Sequence, residues 1–242
     1  GGNEMEFQQI ITQGCSTWNI VLPEQAPERL EQYNTLLLEK NKVMNLTAIT
    51  QPEEMAVRHM LDCLFLLNCG EFKGKKAIDV GSGGGFPGIP LQIACPEAQF
   101  LLLDSRKKRV DFLKEVCQTM DLPAQTLAAR AEEAVRQKGM REQFDLAVSR
   151  AVAPLNVLCA LCLPFVRLGG RFLAMKSANP AAEQEIAQAQ SAIRRLGGRL
   201  VEQKKYRLPG VDIAHQALVI QKEKSTPAAY PRRYAKIESD PL

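Results

Sequence analysis

The sequence predicts an α/β fold in which a parallel β-sheet is covered by helices on both faces and preceded by a helical cap. Three observations predict it. From Lys75 onward, short apolar stretches alternate with helix-length amphipathic segments; a glycine-rich turn, Asp79 to Gly88, joins the first strand to the first helix of that region; and the first seventy residues repeat apolar groups every three or four positions.

In the cap, Leu30, Tyr33, Leu36, Leu37 and Lys40 follow a helical repeat, as do the apolar residues from Met55 to Leu67. Between them Asn45-Leu46-Thr47 supplies a turn, and Thr50-Gln51-Pro52-Glu53 reads as a helix start with Thr50 as N-cap. The strand candidates that follow are Ala77–Val80, Phe100–Leu103, Thr126–Ala128, Leu146–Val148, Arg171–Met175 and Ala217–Gln221. Helix candidates fall between them at Pro87–Ala94, Lys107–Met120, Glu132–Lys138, Leu155–Val166 and Ala181–Leu196. Strict alternation of this kind means parallel strands joined by crossover helices. The pairs Gly169-Gly170 and Gly197-Gly198 are expected to end helices as left-handed C-caps. Three units result: a helical cap over residues 1–70, a sheet domain over 71–222, and a basic irregular tail over 223–242.

At 242 residues the chain suits one principal domain with a small appendage, and 45% hydrophobic with 24% charged residues excludes disordered and fibrous classes. The longest apolar run, Val157 to Val166, is about half of the roughly 20 residues a bilayer span needs, and no secretory signal pattern opens the chain. Seven scattered cysteines suit reduced thiols better than a disulfide framework. A cytoplasmic protein without a membrane partner is the expectation. The net charge of +4 is unevenly spread: residues 1–70 carry four basic and nine acidic groups, whereas 71–222 carry 23 basic and 15 acidic. A cationic sheet domain is compatible with a polyanionic partner.

The turn Asp79-Val80-Gly81-Ser82-Gly83-Gly84-Gly85-Phe86-Pro87-Gly88 lies between strand and helix, the context a nucleotide-binding glycine loop requires. Glycines there permit positive φ and close approach of a ligand. Asp104 ends the second strand, where a carboxylate can accept the hydroxyls of an adenosine ribose. A dinucleotide-binding loop would close on a third glycine beside a pyrophosphate, but position 86 is Phe. That favours a nucleoside without phosphates, such as S-adenosylmethionine, whose ammonium Asp79 could face. Arg130-Ala131-Glu132, after the third strand, sits where an adenine-pocket floor is expected.

Several runs occur in a telling order: Asn45-Leu46-Thr47, Arg58-His59-x-x-Asp62, Asp79 to Pro90, Asp104-Ser105-x-x-Lys108-Arg109, Arg130-Ala131-Glu132, Ser149-Arg150-Ala151 and Thr226-Pro227…Tyr230-Pro231-Arg232. From about Glu28 to Arg233 the chain thereby resembles the small-subunit ribosomal RNA guanine-N7 methyltransferase family, also called glucose-inhibited division protein B. The resemblance implies a seven-stranded, Rossmann-like class I S-adenosylmethionine-dependent methyltransferase sheet with an N-terminal helical cap. The implied reaction methylates one guanine in the 530 loop of 16S ribosomal RNA, in naked RNA or the small-subunit particle, by a monomeric enzyme. It places Gly81 and Phe86 on the methionine and ribose side, with Gly83 and Gly85 in the same turn. Ala131 and Glu132 fall on the adenine side, and Arg150 at the mouth. Tyr234-Ala235 departs from the Pro-Gly or Ala-Gly expected after the tail arginines.

Guanine N7 carries an in-plane lone pair, so methyl transfer to it needs no general base, and the segment Leu146-Ala147-Val148-Ser149-Arg150 carries none. Arg58, His59 and Arg150 are the candidates for phosphate or guanine contact. His59 could instead be a structural histidine bonded to Asp62, and Arg150 could pair with Glu132 or Asp104. Cys159-x-x-Cys162 reads as core packing, not a metal or redox pair; no metal is expected. Lys107-Lys108-Arg109 is either a solvated helix face or an RNA grip, Arg194-Arg195 reads as surface, and Phe7 and Trp18 carry no assignment. A nicotinamide-dependent oxidoreductase, and an RNA-binding protein with an empty pocket, are the alternatives from other classes.

Overall fold

In the computed structural model, which describes residues 6–242, the strands are β1 (Lys76–Val80), β2 (Gln99–Asp104), β3 (Gln125–Ala128), β4 (Phe144–Ser149), β5 (Val166–Ser177), β6 (Gly198–Tyr206) and β7 (His215–Lys222). They form one sheet in the order β3-β2-β1-β4-β5-β7-β6. Strands β1 and β2 are buried on both faces beyond their first residue, as parallel central strands must be when helices cover both sides. Asp79 of β1 lies beside Leu102 of β2 and Val148 of β4, all parallel. Strand order reverses between β1 and β4, so a crevice opens outside their carboxyl ends.

One face packs against α1 (Phe7–Thr17), α2 (Ala26–Asn41), a continuous helical segment over residues 52–68, α5 (Gly88–Ala94) and α6 (Lys107–Thr119). That segment comprises α3 (Pro52–Met55), a π-helical stretch Ala56–Leu61, α4 (Asp62–Leu64) and a 3-10 turn Phe65–Asn68. Ile11, Leu30, Leu37, Met60 and Leu61 share this core with Leu102 and Val148 of the sheet, so the cap has no separate core of its own. Burying a leucine stabilises by about 1.5–3 kcal/mol, and Leu30 and Leu37, both fully buried, secure α2 in this way. The opposite face packs against α7 (Ala131–Ala134), α8 (Leu155–Cys162), α9 (Pro180–Gln188), α10 (Gln190–Arg195) and α11 (Tyr234–Ser239), through Ile78, Leu103, Ala147, Phe172, Leu155, Ile193 and Ile237. No helix of the described residues is long and apolar enough to cross a membrane.

The sheet is mixed, not all parallel, because β7 runs antiparallel to both β5 and β6. β6 has no counterpart among the strand candidates. It is the edge strand, its residues are largely exposed or half-buried, and its Glu202-Gln203-Lys204-Lys205 run hides the apolar signal while protecting the edge from pairing with other chains. β5 begins at Val166 and runs through Gly169-Gly170, so that pair ends no helix. A Cβ at Gly170 would meet the Asp145 carbonyl oxygen at 2.6 Å, which is why glycine is needed where β5 approaches β4. Gly197, with φ +94°, does follow α10 as a left-handed cap. The helix at Pro52 is preceded by Gln51, not Thr50, as N-cap, without a side-chain capping bond. The tail is ordered: α11 docks through Ile237, which is 1% exposed. Phe7 is buried in the cap, and Trp18 packs edge-on against Phe65 and Tyr206. Cys159 and Cys162 are fully buried core residues.

Candidate active site

The glycine turn is held from beneath. Gly81 and Ser82 both donate their backbone N–H to the Leu103 carbonyl at 2.9 Å, locking the turn to the end of β2. Asp79 is completely buried, and its Oδ2 accepts from Ser82 Oγ and from the Gly88 N–H, each at 2.8 Å. Burial pushes its carboxyl up to about 8 against the opposing pull of these two donors, and Oδ1 has no partner. Asp79 therefore shapes the turn from below and does not line the hollow above it. Gly88 opens α5, so the Asp79 carboxyl already occupies the helix-start amide that a pyrophosphate would need.

The cap grips the same turn. Tyr33, fully buried on α2, donates its hydroxyl to the Gly84 carbonyl at 2.6 Å. Gly85 adopts φ +114°, and a Cβ there would come within 2.6 Å of the Tyr33 hydroxyl and 2.7 Å of Ile89. Only glycine meets both constraints.

Above the turn, at the carboxyl ends of β1, β2 and β4, lies a hollow of about 440 Å³. Gly81, Asp104, Ala131 and Glu132 line it together, with Leu103, Leu158 and Leu161 as apolar wall and Arg109, Arg130 and Tyr234 at the rim. Asp104 accepts the Gly83 N–H on Oδ2 at 2.8 Å and the Arg106 N–H on Oδ1 at 2.9 Å. Each oxygen keeps a second lone pair that a ribose hydroxyl could use. Glu132 is paired with Arg130 at 2.7 Å. A carboxylate placed for ribose hydroxyls, an apolar wall and a helix start filled by Asp79 fit a nucleoside and disfavour a pyrophosphate at that helix start. Gly83, Gly85 and Phe86 lie outside this lining.

Phe86 is buried where cap meets turn. Its ring stacks on His59, with centroids 4.6 Å apart, and the Arg150 guanidinium stands 4.5 Å from the ring centroid. Arg150 donates to His59 Nδ1 at 3.0 Å and to the Arg58 carbonyl at 3.2 Å, and its Nη1 lies 3.7 Å from Asp62. Because arginine can only donate, Nδ1 of His59 accepts and Nε2–H donates to Thr47 Oγ1 at 2.8 Å. Burial, reinforced by the Arg150 charge, lowers the His59 pKa to about 3. The ring is neutral at physiological pH, so His59 supplies no cation to a phosphate. Asp62 takes a hydrogen bond from Tyr206 on β6. The alternative partners, His59 with Asp62 and Arg150 with Glu132 or Asp104, are thus replaced by a chain running Tyr206, Asp62, Arg150, His59, Thr47. It is seated on the π-helical stretch that carries Arg58 and His59, a local widening frequent at functional sites. The Arg58 side chain is 41% exposed, pairs with Glu54 at 3.2 Å and is not part of the lining of the hollow. Lys107 and Lys108 are exposed, leaving Arg109 as the member of that run at the rim.

A second hollow, of about 670 Å³, adjoins the first. Arg150, Met175, Lys176 and Ser177 line it, and residues 151–153 wall both spaces. Lys176 donates to the Ala153 carbonyl at 2.6 Å and pairs with Glu185 at 2.7 Å, fixing that partition.

Thr47, Asp62 and Tyr206 carry no site assignment in the sequence reading, nor do Tyr33 and Tyr234. Thr47 and Asp62 do fall inside the motif runs, whereas Tyr33 reads as one more core position of a helical repeat.

The family model described as rRNA small subunit methyltransferase G matches residues 26–207. Ribosomal RNA small subunit methyltransferase G of Alkaliphilus metalliredigens is 47% identical over 95% of this chain and 96% of its own length. Its counterpart in Alkaliphilus oremlandii is 44% identical over 98% and 100%. Among solved structures, the branched-chain polyamine synthase from Thermus thermophilus superposes with a TM-score of 0.61 at 14% identity, covering 85% of this chain and 66% of that one. M. jannaschii TYW2 gives 0.51 at 13% identity, covering 62% and 70%. Both show the shared sheet architecture alone. With the match spanning most of the chain and relatives aligned nearly end to end, the chain belongs to the rRNA small subunit methyltransferase G family.

Proposed function

We propose that the protein transfers the methyl group of S-adenosylmethionine to N7 of a guanine in the 530 loop of 16S ribosomal RNA, by in-line attack and without a general base. The observation that carries this reading is the thin partition at residues 151–153, across which a nucleoside hollow and a second hollow meet beside Arg150. When bound, the cofactor supplies a methyl group on a positively charged sulfur, which keeps the bonding electron pair as the methyl moves to the ring nitrogen. Asp104 and Glu132 hold the nucleoside end, and Gly81 lets the chain approach the sulfur side. Charge is relocated, not created, since one positive charge passes from sulfur to guanine.

The groups beside Arg150 suit this chemistry. The free lone pair of His59 is committed to Arg150, and Asp62 is committed to Tyr206 and Arg150. Asp79 is sealed under the turn. None is free to take a proton, and N7 has none to give. Acceleration then rests on orientation and exclusion of water, which can supply about 7–11 kcal/mol. Arg150, fixed through Nη1 and one Nη2–H, keeps its Nε–H for the guanine edge or a flanking phosphate. Reading an unstacked guanine in the second hollow agrees with sequence-specific RNA recognition in general.

The test is transfer of a labelled methyl group to assembled small subunits and to naked 16S RNA, followed by mass analysis of the nucleoside. N7-methylguanosine at one position is the expected product. Label on an exocyclic amine or ring carbon, or no label with folded protein, would overturn the reading.

A further inference from the structure

We propose that Tyr234, from the carboxyl-terminal tail, is a binding residue of the nucleoside hollow, closing its adenine end with the aromatic ring. This rests on the reading of that hollow as an adenosine site.

The tail is built to hold this residue in place. Arg141 donates to the carbonyls of Thr226 at 2.8 Å and Tyr230 at 2.7 Å, and Arg136 donates to that of Pro231 at 2.6 Å. Thr226 Oγ1 is buried and bonds the Leu196 carbonyl at 2.7 Å. Beyond these clamps Ile237 is buried against the face that carries α8. Tyr234 is the first residue of α11, between the clamps and that anchor, and its side chain lines the hollow with Ala131 and Glu132. The Arg130 guanidinium lies 4.6 Å from the Tyr234 ring centroid and bonds Glu132 at 2.7 Å. Tyr234, Arg130 and Glu132 therefore form one wall, in which a half-exposed aromatic ring borders the 440 Å³ hollow. Every base has a π-face, and a ring held in this position offers it a contact at little further entropic cost, since the clamps have already ordered the backbone.

The experiment measures binding of S-adenosylhomocysteine and 5′-methylthioadenosine by calorimetry to the wild-type full chain, Tyr234→Phe and Tyr234→Ala. Removal of one base-stacking ring is expected to raise Kd about tenfold, roughly 1.4 kcal/mol. The factor should be the same for both ligands because both carry adenine, and Tyr234→Phe should stay within about twofold of wild type. In turnover, the Tyr234→Ala variant should raise KM for the methyl donor and leave KM for RNA unchanged. Equal binding by wild type and Tyr234→Ala, or a loss in Tyr234→Phe as large as in Tyr234→Ala, would overturn the inference while leaving the adenosine site standing. Wild-type protein that takes up neither ligand would overturn the adenosine site, and the inference with it. An unshifted melting temperature of ligand-free Tyr234→Ala separates a lost contact from a lost fold.

Discussion

Acidification should remove the stability that one buried ring contributes. His59 is 7% exposed and accepts a hydrogen bond from a guanidinium, so protonating it would place two cations 3.0 Å apart at a largely buried site. Its folded pKa of about 3 lies below the ordinary 6.5. Between those values the unfolded chain binds one proton that the native state does not. Stability from this group is therefore complete above pH 6.5 and declines as pH falls, by about 1.4 kcal/mol per pH unit. From pH 6.5 to 5 the loss is about 2 kcal/mol, a large part of the usual 5–15 kcal/mol. Asp79 works in the opposite sense: with its folded pKa at about 8, above the ordinary 3.8, its contribution is complete below pH 3.8 and is lost as pH rises to 8. The two slopes nearly cancel in the wild type between pH 4 and 6.5. The informative quantity is the difference between wild type and His59→Gln in urea midpoint across that range, which should narrow by one proton's worth as pH falls. With only two histidines in the chain, proton NMR reads the ring directly, the variant assigning its signal. A His59 ring titrating above pH 5.5 in the folded protein would refute this reasoning.

Three further outcomes follow from the site. Asp104→Ala removes the acceptor of the Gly83 and Arg106 amides and should weaken S-adenosylhomocysteine binding at least tenfold by calorimetry, on the order of 1–3 kcal/mol for an unsatisfied network. Arg58→Ala leaves the lining of the hollow intact and removes a half-exposed cation from the π-helical stretch that carries His59, so donor affinity should hold while methylation of RNA falls; a fall in donor affinity instead would reverse the roles given to Arg58 and Asp104. Gly85→Ala forces a Cβ against Tyr33 and Ile89 at positive φ, and should lower urea stability by about 2–4 kcal/mol, with Tyr33→Phe relieving none of the backbone part.

What the sequence made legible was what is written locally. β2 shows as an unbroken apolar run, and β1 as one interrupted only by Asp79, because helices cover both of their faces; Gly81 and Asp104 sit at the ends of these strands, and Ala131 and Glu132 just beyond β3. β6 is invisible because an edge strand rich in Lys and Glu looks like a loop, and no local signal records that β7 runs backwards. The chain linking Tyr206, Asp62, Arg150 and His59 joins residues as far apart as 144 positions, beyond the reach of any motif. Phe86 reads by resemblance as a ligand neighbour, and its further part as a platform for Arg150 and His59 comes from the cap folding over it, which no local pattern records.

The bond from Tyr33 to the Gly84 carbonyl, with Leu37 against Gly84 and the Tyr33 ring against Phe86, ties helix α2 to the glycine turn. An RNA that moved helix α2 would therefore pull on the glycine turn, and a ligand that tightened the turn would act on the helix. By reciprocity, whatever factor one ligand adds to the affinity of the other is returned in full. Measuring donor affinity with and without ribosomal RNA would therefore weigh the coupling, and repeating it in Tyr33→Phe would give the share carried by the phenol.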